Sequence, residues 1–250
     1  MTMLGIMAAL PQELGDLIAG MRAAGDVETL TLGQREYYVG EAHGVRCVVT
    51  LARIGKVAAA TTASALIHVF NTDAIVFTGV AGGVHADVQV GDIVVADTLL
   101  QHDLDASPLF PRFEVPLLDK SRFDASAELS AGLVSACEAF LAEQGDALQG
   151  QFAVVRPRVH RGLVVSGDRF IASHEAVLAL RDALPDALAV EMEGAALAQV
   201  CYEYGVPCAV VRTISDTADA AAPASFAEFL TAIAATYSSG ILSRFLRSRI

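Results

Sequence analysis

Leu188-Ala189-Val190-Glu191-Met192-Glu193-Gly194 and Cys208-Ala209-Val210-Val211-Arg212-Thr213-Ile214-Ser215-Asp216 are apolar runs that lead into carboxylates. Short apolar runs of this length read as buried strands. In an open α/β sheet, ligands bind outside the carboxyl ends of the strands. Glu191 and Glu193 are separated by one residue, so an extended strand would point both to one side. A buried carboxylate needs a partner, and Arg212, four residues before Asp216, can supply one. Carboxylates gathered in one crevice suit the cleavage of a glycosidic bond, where one group gives a proton and another activates water.

The rest of the chain alternates strand and helix around these two runs. Met3–Ala9 reads as a buried strand, and Pro11 suits the first turn of a helix reaching about Ala24, with Glu13 in that turn. Arg35–Glu41 and Val45–Leu51 flank Gly44 and read as a hairpin. A helix is predicted over Lys56–Phe70, a buried strand over Ala74–Phe77 and another over Gly91–Leu100. Between Phe77 and that last strand lies Thr78-Gly79-Val80-Ala81-Gly82-Gly83, read as a tight turn that lets a ligand approach the backbone. Leu104–Asp124 carries three prolines and no period; such long loops are often lids or interfaces. Beyond it the pattern predicts a helix from Ala127 to about Gln144, a strand over Val159–Val165 and a helix near Ser173–Leu184. A helix over Ala195–Tyr204 joins the two carboxylate-bearing strands, and another over Ala224–Leu246 closes the chain. With no linker or repeat, residues 1–250 read as a single α/β domain.

Composition narrows the function classes. Of 250 residues 54% are apolar and 18% charged, which supports a sizeable core. The net charge of -12 argues against a nucleic-acid partner, because phosphate backbones require a lysine- and arginine-rich surface. No apolar stretch reaches the roughly 20 residues that span a bilayer, and the apolar start lacks a basic leader, so neither membrane nor signal peptide is expected. Cys47, Cys137, Cys201 and Cys208 are scattered among apolar neighbours and read as buried reduced thiols, which fits the cytoplasm.

The glycine run does not match G-x-G-x-x-G, and Gly55-Lys56 lacks the rest of a P-loop. The histidines, His102-Asp103 included, show no metal-ligand spacing. No G-x-S-x-G elbow supports acyl transfer.

Taken in order, Ala8–Leu14, Ile54-Gly55-Lys56-Val57-Ala58-Ala59, Thr78–Gly83, Val90–Val95, Val165–Ile171, Val190–Gly194 and Arg212–Asp216 resemble the 5'-methylthioadenosine/S-adenosylhomocysteine nucleosidases of the nucleoside phosphorylase superfamily. The resemblance implies a three-layer αβα sandwich with a mixed central sheet, no cofactor or metal, and a homodimer acting on a purine nucleoside. It implies that Asp216, backed by Ser215, protonates the purine N7 and that Glu13 activates water. Glu193 would hold the ribose hydroxyls with Met192 beneath the sugar, and Arg212 would orient a carboxylate. Phe170 would stack on adenine, the backbone at Ile171 would read its edge, and Ile54, Ala81 and Gly82 would lie beside base and ribose.

Val80 stands where the family usually has Ser or Thr. Arg53 replaces a usual glycine, which would bring a cation toward the ribosyl pocket. Ala106–Leu117 matches poorly the segment that lines the 5' pocket in similar enzymes, with Phe110 and Phe113 expected to cap the neighbour's pocket. The alternatives are a phosphate-dependent purine nucleoside phosphorylase, a nucleosidase for another purine nucleoside or nucleotide with Arg53 or Arg112 on its phosphate, and a non-catalytic purine-binding module.

Overall fold

The computed structural model describes residues 3–152, 154–218 and 222–249. Its strands are β1 (Leu4–Ala8), β2 (Glu28–Leu32), β3 (Arg35–Ala42), β4 (Val45–Leu51), β5 (Ala74–Gly83), β6 (Ile93–Gln101), β7 (Arg122–Asp124), β8 (Val159–Ser166), β9 (Ala187–Glu191) and β10 (Cys208–Asp216). They form one mixed sheet in the order β10-β6-β8-β9-β5-β1-β4-β3-β2, with β7 beside β6. A further pairing joins β10 to β5, so β5, β10, β6, β8 and β9 close into a ring and β1, β4, β3 and β2 form an open wing.

β5 makes this closure possible. Along Ala74–Phe77 it pairs in parallel with β1, and along Ile75–Gly82 it pairs in parallel with β10. Its last residues, Gly82 and Gly83, leave β1 behind and pair antiparallel with Val190 and Ala189 of β9. Two expectations are thereby corrected. The sheet is not open at the site, and the glycine run is the second half of a fully buried strand, not a turn. Gly79, Gly82 and Gly83 have no positive φ, so they extend the ladder while keeping its surface bare.

Period-two alternation of the central strands fixes the layers. Ala74, Val76, Ala209 and Val211 face α1 (Leu17–Ala24), α3 (Ala127–Leu148) and the pair α6 (Ala222–Ala232) and α7 (Ala234–Arg247). Ile75, Phe77, Cys208 and Val210 face α2 (Lys56–His68) and α5 (Gly194–Tyr204). The result is the expected three-layer arrangement, and α4 (His174–Ala183) packs on Leu163 and Val165 of β8. All four cysteines are buried free thiols.

Local departures from the predicted elements have local causes. Pro11–Ala24 is not one helix: a 3-10 turn over Pro11–Glu13 is separated from α1 by Gly15, whose φ of 58° no helix accepts. The closing helix is two, parted at Ile233, where φ is -142°. β9 stops at Glu191, so Glu193 is not on the strand with it but sits immediately before the first residue of α5. The strand β2 alternates threonine and leucine only over Thr29–Leu32 and buries neither face, so its short pattern does not mark it as a strand.

Candidate active site

Glu13 is the most tightly held of the carboxylates. The chain leaves β1, turns at Leu10-Pro11 and folds the Glu13 side chain back over its own entry. There Oε2 accepts hydrogen bonds from the backbone N–H groups of Ala9 and Leu10, each at 2.8 Å. Oε1 accepts a third from Val80 of β5 at 3.0 Å. Burial pushes its pKa up, opposed by the Arg212 guanidinium and the three N–H donors. A carboxylate with a raised pKa is a stronger base than a free one and suits taking a proton from water.

Arg212 lies wholly buried in β10 with its guanidinium 4.2 Å from the centre of the Phe77 ring. Its Nη2 donates to Glu191 Oε2 at 2.6 Å and stands 4.0 Å from Glu193 Oε2. The carboxylate that Arg212 grips is therefore Glu191. Glu191 also accepts from the N–H groups of Glu193 and Gly194 and from the Ser166 hydroxyl, which pins the start of α5. Glu193 is thus left facing the cavity, with Oε1 accepting from Gly55 N–H at 2.9 Å. Burial and then the neighbouring Glu191 push its pKa up to about 8, against the pull of Arg212.

Asp216 ends β10. Ser215 Oγ donates to its Oδ2 at 2.8 Å and Ala218 N–H to its Oδ1 at 2.8 Å. Gly82 lies directly behind it: a Cβ there would stand 3.0 Å from Asp216 Oδ1. The carboxylate needs that bare backbone.

One cavity brings these groups together. Glu13, Ile54, Ala81, Phe170, Ile171, Met192, Glu193 and Asp216 all line it, while Gly82, Arg212 and Ser215 support the lining from behind. Ala9, Leu10, Val80, Arg169, Val190 and Glu191 complete the walls, together with Phe226 of α6, which meets Phe170 edge to face at 5.6 Å. Phe226 carried no motif and could be found only by folding the chain. Glu191 stands in the quoted stretch, and the resemblance gives it no role; the structure places it on the cavity wall and against Arg212.

The expectation for Arg53 fails. Arg53 does not line the cavity; its φ is 71°, and Nη2 donates to the Gln34 carbonyl at 2.5 Å. Arg112 lies over Phe113 and near Asp105. The segment expected over a neighbour's pocket lies apart from this chain's own cavity: Phe113 packs beside Leu180 and Val84, and Leu109 is 84% exposed.

A ring-closed mixed sheet with this cavity at its strand ends is a superfamily architecture, and a model of the phosphorylase superfamily matches residues 3–247. The chain is 37% identical over 228 residues to the 5'-methylthioadenosine/S-adenosylhomocysteine nucleosidase of Actinobacillus succinogenes, covering 91% of each. It is 34% identical to that of Aeromonas salmonicida, over 90% of this chain and 91% of the relative. Within the superfamily, the chain belongs to the family of these nucleosidases.

Solved structures agree. The Neisseria meningitidis nucleosidase in complex with methylthio-immucillin-A superposes with a TM-score of 0.87 at 33% identity, over 99% of this chain and 100% of the other. A futalosine hydrolase of Helicobacter pylori, in its native structure, gives 0.83 at 32% identity, over 99% and 98%.

Proposed function

We propose that the chain hydrolyses the N-ribosidic bond of 5'-methylthioadenosine and S-adenosylhomocysteine, releasing adenine and a 5-thio-substituted ribose. The observation that carries this reading is the buried Glu13 carboxylate, held by three backbone N–H groups on the wall of a cavity shared with Glu193 and Asp216.

Asp216, fixed by Ser215 and Ala218, donates a proton to N7 so that adenine departs neutral. The C–N bond breaks with its electron pair going to the base, and positive charge develops on the ribosyl ring. Glu13 takes a proton from the water that attacks the anomeric carbon. Glu193 accepts from the ribose hydroxyls and, with Glu13, faces the developing cation in a water-poor setting where such attraction is strong. Phe170 stacks on the base, the backbone of Ile171 meets its edge, Met192 lies under the sugar, and Ile54, Ala81 and Gly82 shape the floor. Arg212 acts through Glu191.

The rival use of phosphate as nucleophile lacks support, since Arg53 is engaged with Gln34 and a phosphate site gathers several cationic or backbone donors. Adenine release from methylthioadenosine is therefore expected at the same rate with and without phosphate. The value of kcat/KM should exceed that for adenosine 5'-phosphate by at least about tenfold, because one or two buried methylene equivalents contribute about 0.8 kcal/mol each and a phosphate would need paired cations. A dependence on phosphate, or preference for the nucleotide, would overturn the reading.

The same proposal takes residues 1–250 as one domain, on the strength of the continuous sheet. It places the protein in the cytoplasm, consistent with four reduced buried thiols, in the recycling of methionine and methyl donors. It also makes the protein a homodimer. Leu109 and Leu117 of the 104–117 loop are 84% and 88% exposed and do not line the chain's own cavity, and Ile54, which does line it, and Val57 are exposed as well. The loop then caps the neighbour's pocket. Light scattering should give twice the 26.2 kDa chain mass at micromolar concentration; a fully active monomer would refute the dimer.

A further inference from the structure

Two successive N–H groups at the start of α2 point to different halves of the site. Gly55 N–H donates to Glu193 Oε1 at 2.9 Å, and Lys56 N–H donates to Asp168 Oδ1 at 2.8 Å. Asp168 precedes Phe170 by two residues, in the loop that follows β8. A third loop, following β6, closes the circuit: Asp103 Oδ1 accepts from Lys56 Nζ at 2.6 Å, and its Oδ2 accepts from Asp168 N–H at 2.8 Å. Lys56 Nζ also lies 3.9 Å from Asp168 Oδ2.

The three loops fit without slack. His102 N–H donates to the Ser166 carbonyl at 2.9 Å. Where Gly167 crosses His102, a Cβ would stand 2.4 Å from His102 Nε2 and 3.1 Å from Asp103 Cγ. Burial alone would raise the Asp103 pKa, but the Lys56 ammonium and the Asp168 N–H outweigh it and hold the carboxyl below its usual range. The Lys56 side chain is only 16% exposed. An ordinary surface ion pair contributes little to stability; this one spans three loops, so its value is geometric.

Resting on the nucleosidase reading, we propose that Lys56 and Asp103 are positioning residues that lock the base-holding loop of Phe170 and Ile171 to the helix end that holds Glu193. Neither side chain lines the cavity. Glu13 and Asp216 are held by other elements, the 3-10 turn over Pro11–Glu13 and β10, with their own hydrogen bonds. Glu193 keeps its place at the start of α5, where Glu191 holds the Glu193 and Gly194 N–H groups. Loosening the lock should therefore shift the Phe170 and Ile171 loop and weaken grip on the base in ground and transition states alike, which appears in KM and spares kcat.

The test is steady-state hydrolysis of methylthioadenosine and calorimetric binding of adenine by the wild type, Lys56→Met and Lys56→Arg. Lys56→Met is expected to raise KM and the adenine Kd about tenfold, with kcat within about threefold of wild type, and Lys56→Arg to restore both. Asp103→Asn carries the same expectation should Lys56→Met fail to fold. Unchanged KM and adenine Kd, or a loss confined to kcat, would overturn the inference. A wild type that releases no adenine would defeat the nucleosidase reading, while adenine calorimetry on the same variants would still judge the lock.

Discussion

Asp216→Asn is expected to lower kcat for methylthioadenosine by about 100-fold to 10,000-fold, the range of a lost general acid, while ligand affinity stays measurable. The asparagine amide can still hydrogen-bond N7 and still accept from Ser215 or Ala218 N–H, the two donors that fix the wild-type carboxylate. It has no proton to give, so adenine must leave as an anion. Gly82 keeps the backbone behind the side chain bare, and the isosteric amide fits the same space. Adenine release and binding of a non-hydrolysable analogue, measured on one preparation, separate the two effects. Near-normal turnover would remove Asp216 from the acid role.

Glu13→Gln is expected to cost turnover on the same scale, about 100-fold to 10,000-fold, for a different reason. The amide cannot accept the proton of the attacking water. It also meets a ring of donors: with its oxygen on the Ala9 and Leu10 N–H pair, its NH2 faces the Val80 N–H. One unsatisfied buried N–H costs about 1–3 kcal/mol, less than the 5–15 kcal/mol typical of a domain, so the variant should remain folded. Adenine release and urea denaturation check both halves. In the wild type the raised Glu13 pKa places its loss of base function on the acid side, so kcat/KM should fall as pH drops through that value. If activity persists in the variant, another group activates the water.

How much of this was legible in the chain depended on whether a residue's job is local. The buried strands announce themselves because β5 and β10 are apolar on both faces. The helices α2 and α5 follow from alanine-rich apolar spacing. The eight cavity-lining residues expected from the motifs lie at or just beyond strand ends or at helix starts, and the motifs rather than the element boundaries identify them. What escaped is non-local. The closure of the sheet depends on β5 exchanging β1 for β9 at Gly82, and nothing in a glycine run distinguishes that from a turn. Arg53 has the charge to reach a pocket, but its positive φ sends it to Gln34. Arg212 meets Glu191 while Glu193 turns to the cavity, because β9 ends at Glu191 and the alternation that would have put both on one side stops there. Phe226 arrives from a helix more than two hundred residues along the chain from Leu10, on the same cavity.

The charges that surround the cavity do not cancel. Arg169 at the rim is exposed, and Asp216 carries the proton it donates. That leaves the buried Glu13, Glu191 and Glu193 sharing the guanidinium of Arg212, a surplus of one negative charge with a proton on Glu193 and of two without it. Such a surplus inside apolar walls works against the folded state, since buried ions are poorly repaid even when paired. The protein behaves as one half of an ion pair whose other half is supplied by the reaction itself. A neutral nucleoside leaves the imbalance standing, and a ribosyl ring acquiring positive charge relieves it. Discrimination between substrate and transition state then originates in a standing electrostatic debt of the fold.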